Sequence, residues 1–269
     1  MQPEVVGAIL DVLRQRTGVD FSRYRCATVQ RRIANRMISV GVESPDGYLA
    51  LLQASHGEAR QLLNRISIKV SRFYRHAAAF DTLAHEVIPS LAARGGPLRI
   101  WSAGCGCGEE PYTIAMLLEE AGVEGIVLAT DIDPVAIEAA QAGRFSVEAA
   151  AELPATLAAR YLVPLQDSRG FALGIGDCLR ARVRFMRHDL LFASSPERAP
   201  FDLVACRNVL IYLQQDVRDE VFWTLLRSVR PGGFLCLGEA EWPPKSLDGM
   251  LSPLSRQSRV FQRVSECRA

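Results

Sequence analysis

The chain reads as an α/β protein, with a parallel sheet, crossover helices and a small antiparallel β insertion, preceded by an all-α region. Two observations predict this. Residues 1 to about 68 carry helical periodicity, broken only at "TGVD", "VGVESPDG" and "ASHG". From Leu98 the texture changes to short β-rich runs alternating with helical ones, as a parallel sheet with crossovers requires.

The elements follow in order. "LRIWSAG" is a strand, and "EPYTIAMLLEEAG" a helix stopped by Gly122. "GIVLATDID" is the second strand. The next helix, "DPVAIEAAQAG", places Asp133 as N-cap and Pro134 as its first residue, the favoured order at a helix start. Between Phe145 and Asp189 the alternation breaks. "YLVPL", "GFALGI" and "ARVRFMRHDL" are short strand candidates, so an antiparallel insertion is expected at about 155–187. "FDLVACRNVLIY" is another strand, and "QQDVRDEVFWTLLRSVR" a helix ending at "PGG". "GFLCLGEAE" follows as a strand, and "SRVFQRV" as a final edge strand. The expected division is a helical domain at 1–68, a linker at 69–95 and an α/β domain at 96–269.

The composition, 49% hydrophobic and 23% charged with net charge +1 over 269 residues, supplies no global argument for nucleic acid or membrane. Apolar runs fall short of the roughly 18 residues a membrane helix needs. The N-terminus has Glu4 and no basic stretch before its apolar part, which suits an amphipathic helix better than a signal peptide. The seven cysteines are scattered and form no CxxC pair. They read as reduced thiols of a cytoplasmic protein rather than a disulfide framework or zinc site.

The chemistry concentrates at "IWSAGCGCGEEPYTIAM" (100–116). A glycine-rich turn from strand to helix lets a ligand approach the backbone, although the glycines alone also suit a plain tight turn. A dinucleotide site wants G-x-G-x-x-G and a helix N-terminus facing a pyrophosphate. Here Glu109 and Glu110 stand where that phosphate would lie. Cys105 and Cys107 have no second ligand pair nearby to chelate a metal. A cationic ligand suits Glu109 better. Asp131, at the carboxyl end of the second strand, stands where an acid binds ribose hydroxyls. S-adenosylmethionine carries a ribose, a sulfonium and an ammonium but no phosphate, and fits both acids.

Five ordered stretches, "ISIKVSRFYRH", "IWSAGCGCGEEPYTIAM", "ATDIDPVAIEAAQAGRF", "FDLVACRNVLIYL" and "RPGGFLCLGEAE", carry a wider likeness. The chain resembles the chemotaxis-receptor glutamate methyltransferases, the CheR family, over essentially its whole length. The resemblance implies a Rossmann-like class I methyltransferase sheet with a β-subdomain, behind an all-α N-terminal domain. It implies methyl transfer from S-adenosylmethionine to glutamates on the cytoplasmic helical bundle of methyl-accepting chemoreceptors, giving methyl esters and S-adenosylhomocysteine. No nucleic acid, metal or membrane insertion is implied, and a monomer recruited to receptor arrays is the family default. Carried over by position, Lys69, Ser71, Arg75, Gly104, Glu109, Asp131, Asp189, Leu190, Arg207 and Asn208 are expected at the cofactor. Arg75 and Tyr212 are expected at the transferring methyl group. The chain departs from the pattern in three places: Lys69 replaces an amide, Gly106-Cys107 replaces Ser-Thr, and Glu239 replaces a histidine, while Glu241 is retained. The Gly106-Cys107 change is expected to be tolerated, whereas Lys69 and Glu239 motivate the alternative of a cofactor-binding regulatory or scaffold protein impaired in transfer.

Residues 21–40 hold five arginines and no acid. On a helix Arg25, Arg32 and Arg36 share a narrow arc beside the apolar stripe of Val29, Ile33, Met37 and Val40. The bland expectation is a solvated basic face. The family likeness implies a surface for the acidic methylation helices of the receptor, which complementary charge would steer.

Overall fold

The computed structural model describes residues 1–67, 71–167, 170–191, 195–197, 200–255 and 257–264. They divide into two compact units, Met1–Lys69 with Tyr212–Arg218, and Val70–Ile211 with Asp219–Ala269.

The first unit is built on α1 (Pro3–Thr17), α2 (Cys26–Ser39), α3 (Pro45–Ala54) and α4 (His56–Ile66). Helix α1 opens on proline and stops at Gly18, whose left-handed backbone returns its N–H to the Arg14 carbonyl at 2.8 Å. Ser44 and Ser55 cap α3 and α4 by accepting from Gly47 N and Glu58 N, both at 3.1 Å. Ile9, Leu13, Ile33, Leu52 and Leu62 are fully buried. Val29 and Met37 join Ile33 in the expected stripe, while Val40 falls at the C-cap and is half-buried. Unexpectedly, this unit takes in a segment from far along the chain. Leu213 forms an antiparallel bridge with Tyr24, and Arg25 N donates to the Tyr212 carbonyl at 2.8 Å. The Gln214 amide donates to the carbonyls of Ser22 and Tyr24, both at 3.1 Å.

The second unit opens with α5 (Ala77–Thr82), a π-helical turn (Leu83–Val87) and α6 (Ile88–Ala92). Phe80, Leu83, Val87, Ile88 and Leu91 are buried in the same core as the sheet, so most of the stretch expected as a linker is a packed layer. The chain continues through β1 (Leu98–Ala103), α7 (Glu109–Glu120), β2 (Gly125–Asp131), α8 (Pro134–Ala142) and β3 (Arg144–Ser146). Next come α9 (Ala155–Tyr161), β4 (Leu162–Asp167), β5 (Gly170–Ile175), α10 (Asp177–Arg180), β6 (Val183–Arg187) and β7 (Phe201–Cys206). Helix α11 (Gln215–Ser228), which belongs to this unit from Asp219 onward, β8 (Val229–Leu237), β9 (Leu251–Ser255) and β10 (Val260–Arg263) complete it.

The main sheet has the order β6-β2-β1-β7-β8-β10-β9, with parallel pairings from β6 to β8 and antiparallel pairings of β10 with both β8 and β9. Strand β7 is buried along its whole length, as a strand covered on both faces must be. Strand order reverses between β1 and β7, so ligands are expected beyond their carboxyl ends.

Three expectations are corrected here. The "ARVRFMR" run is not part of the insertion but β6, paired parallel with β2 from Val127↔Val183 to Asp131↔Arg187. The small antiparallel sheet, ordered β3-β5-β4, instead recruits β3 and so spans 144–175. The "SRVFQRV" run is β10, which β9 covers, so β9 is the edge. No described helix is long and apolar enough to cross a membrane.

Candidate functional site

In the second unit the carboxyl ends of β1, β2, β6 and β7 bring most of the expected cofactor residues together. Strand β1 runs into the glycine loop at Gly104, whose φ is +79°. A Cβ there would sit 2.3 Å from the Val209 side chain, so only glycine lets the turn after β7 lie over this loop. Asp131 shapes the loop from the next strand. Its Oδ2 accepts from Gly106 N and its Oδ1 from Asp133 N, both at 2.9 Å. A carboxylate has lone pairs for more than two donors, so this bracing is compatible with ribose hydroxyls. His188 N donates to the Asp131 carbonyl at 3.0 Å, bringing the end of β6 alongside. There Asp189 accepts from Leu191 N at 2.9 Å, with half-buried Leu190 between them.

The two glutamates that open α7 part company. Glu110 turns inward, its Oε1 accepting from the Ser102 hydroxyl at 2.7 Å and its Oε2 lying 3.4 Å from Arg207. Burial pushes its carboxyl up, with Arg207 pulling against it. Sequence reasoning set both acids against a ligand, and only Glu109 fits that description. Glu109 is 5% exposed and bonded by the Ser71 hydroxyl, and its Oε2 has no hydrogen-bond partner. Burial pushes this carboxyl up as well. A buried carboxylate oxygen without a donor is costly, and a cation set against it removes the cost.

Residues 71–75 are tied to the first turn of α7. Tyr74 N donates to the Thr113 hydroxyl at 3.2 Å, which itself donates to the Glu109 carbonyl at 2.7 Å. Arg207, 7% exposed, donates to the Arg75 carbonyl at 2.5 Å and lies 4.7 Å over the Phe80 ring. Its guanidinium therefore serves the protein interior, which leaves the backbone of Arg207–Asn208 as the part suited to a ligand. Asn208 has φ +60°, a left-handed backbone. Glu239, standing where the family has histidine, pairs with His76 at 3.0 Å. Lys69 lies outside the described residues. Glu241, which sequence reasoning noted only as retained, is buried and accepts four backbone N–H groups.

The first unit holds the remaining expected residues, and here the common cationic face is corrected. Arg36 makes a two-pronged bond to Glu58 at 2.8 and 2.6 Å, and the Tyr48 hydroxyl bonds the same carboxylate at 2.7 Å. With its side chain only 15% exposed, Arg36 is an internal ion pair. Arg32 donates to the Arg65 carbonyl at 2.8 Å, and burial lowers its pKa. Exposed Arg25 donates through Nε to the Leu213 carbonyl at 3.2 Å, beside half-buried Tyr212.

Comparison with known proteins matches both units. Residues 69–258 fit the CheR methyltransferase SAM-binding domain and residues 6–67 its all-alpha domain. An uncharacterised 104.1 kDa protein of Rhodobacter capsulatus is 38% identical over 97% of this chain, which spans only 28% of that protein's length. The probable biofilm formation methyltransferase WspC of Pseudomonas aeruginosa is 33% identical over 95% of this chain and 61% of its own. The chemotaxis protein methyltransferase of Escherichia coli is 32% identical over 87% of this chain and 82% of its own. With both domains matched in order, the chain belongs to the CheR methyltransferase family.

Proposed function

We propose that the protein methylates glutamate side chains on the cytoplasmic helical bundle of methyl-accepting chemoreceptors, using S-adenosylmethionine and leaving S-adenosylhomocysteine. The observation that carries the cofactor is Glu109, a buried acid with one oxygen unpartnered in a chain of this family. When bound, S-adenosylmethionine would supply a methyl carbon on a sulfonium: the substrate carboxylate oxygen bonds to that carbon as its bond to sulfur breaks, and the sulfur leaves as the neutral thioether of S-adenosylhomocysteine. Glu109 and Ser71 hold the cationic methionine end, and Asp131 takes the ribose hydroxyls. The backbone around Gly104, Asp189–Leu190 and Asn208 closes on the rest. Arg75 orients the substrate carboxylate, for which a guanidinium is suited by its paired donors. The family likeness assigns Tyr212 to the transferring methyl group. A glutamate is already ionised at neutral pH, so the protein needs no general base and works by alignment and exclusion of water. Of the arginines read as a receptor surface, Arg25 is the one whose exposure supports that role.

Incubation with methyl-labelled cofactor and a chemoreceptor cytoplasmic fragment tests this. Label released from the fragment as methanol by base is the expected result. Absence of transfer to any receptor fragment, with cofactor bound, refutes the reaction.

A further inference from the structure

We propose that Glu241 is a positioning residue for methyl transfer, holding the 208–211 turn in the backbone shape that roofs the glycine loop. The proposal rests on reading that loop as the S-adenosylmethionine pocket.

Glu241 lies just beyond β8 and is 4% exposed. Its Oε1 accepts from Leu210 N at 2.8 Å and Ile211 N at 3.4 Å, and its Oε2 from Asn208 N at 3.0 Å and Gly238 N at 2.7 Å. Both oxygens face donors only. An ionised carboxylate accepts on both, whereas an amide would aim its NH2 at two N–H groups. Asn208 carries the turn through φ +60°, a region that asparagine adopts more readily than other residues with a side chain, and the Glu241 bonds fix the turn on both sides of it. The approach is close: a Cβ on Gly238 would fall 2.6 Å from Asn208 N. The next residue, Val209, packs on Gly104. Contacts therefore run unbroken from Glu241 through Asn208 and Val209 to the loop that Asp131 braces from the other side. The hydrogen bonds that Glu241 accepts come from backbone N–H groups of the turn and of Gly238, so it acts through the turn.

The test is calorimetric titration of the full chain with S-adenosylhomocysteine, well below the melting temperature, for wild type, Glu241→Gln, Glu241→Asp and Leu225→Ala. Leu225 is fully buried in α11 and controls for general loosening. Glu241→Gln should weaken binding by about tenfold or more, the scale of one buried N–H left facing a donor. Glu241→Asp, one methylene shorter but still charged, should fall in between and serves if the glutamine variant does not fold. Leu225→Ala should melt earlier with unchanged affinity. Wild-type affinity in both Glu241 variants overturns the proposal, as does an equal loss in Leu225→Ala. No binding by wild type overturns the reading of the pocket itself.

Discussion

Replacing Arg36 by alanine should destabilise the helical unit while leaving receptor binding unchanged. The substitution removes both donors at 2.8 and 2.6 Å and leaves Glu58, 8% exposed, with the Tyr48 hydroxyl. Breaking a buried ion pair by deleting one partner costs about 3–5 kcal/mol, because the other charge stays behind. Arg36 keeps 15% of its side chain in solvent, which points to the lower end, about 3 kcal/mol. The assay is urea unfolding at neutral pH followed by far-ultraviolet circular dichroism, run as a cycle with Glu58→Gln. The double variant should lose much less than the sum of the singles. The pH dependence supplies a second check. The Arg36 bond holds the Glu58 carboxyl below the usual carboxylate range, so its folded pKa is lower than its unfolded one. The contribution is complete above the unfolded value of about 4.3 and is lost as pH falls through the lower folded value. Arg36→Ala should lack that acid-side loss. A change under about 1 kcal/mol, with weaker binding to a receptor fragment, would refute the internal assignment and restore Arg36 to the surface.

Asp131→Ala strips acceptors from Gly106 N and Asp133 N and should weaken S-adenosylhomocysteine by about tenfold to hundredfold; unchanged titration would count against the loop model. Glu109→Gln should act in opposite directions, raising the stability of the ligand-free protein by about 1 kcal/mol and lowering cofactor affinity. Because burial raises the Glu109 pKa, the native state holds that proton to higher pH than the unfolded chain. Stability should therefore fall as pH rises from the ordinary carboxylate value through the raised one, and thermal melts of the glutamine variant should lack this slope. Gly104→Ala meets Val209 at 2.3 Å with φ at +79°, and should cost about 1–3 kcal/mol in chemical denaturation. Adding Val209→Ala should recover part of it.

The alternating strands and helices were legible because their apolar residues follow simple periods, and the Asp133–Pro134 start of α8 because capping is local. Strand β6 was misplaced because a five-residue strand does not declare its partner; only pairing with β2 decides that. Strand β9, "LSPLS", has neither period nor β-rich composition. At the site, the glycines and acids were legible as types, but the direction of each glutamate was not. Glu110 is turned inward by Ser102 and by Arg207, which is 97 residues away. The same holds for Arg36: a helix wheel places it on a face, and Glu58 on another helix makes that face interior.

The bridge from Tyr24 to Leu213 has a consequence for biosynthesis. Arg25 waits 188 residues for Leu213, the carbonyl that its side chain bonds. At about 5–20 residues per second, the 143 residues from Lys69 to Tyr212 take roughly 7–30 s, so the helical unit is made that long before the segment that completes it. The helical unit is thus completed only after the chain through β7 has been made, when the Gln214 amide reaches the Ser22 and Tyr24 carbonyls. Helical fragments ending near residue 69 should therefore be assayed with a 212–218 peptide supplied in trans.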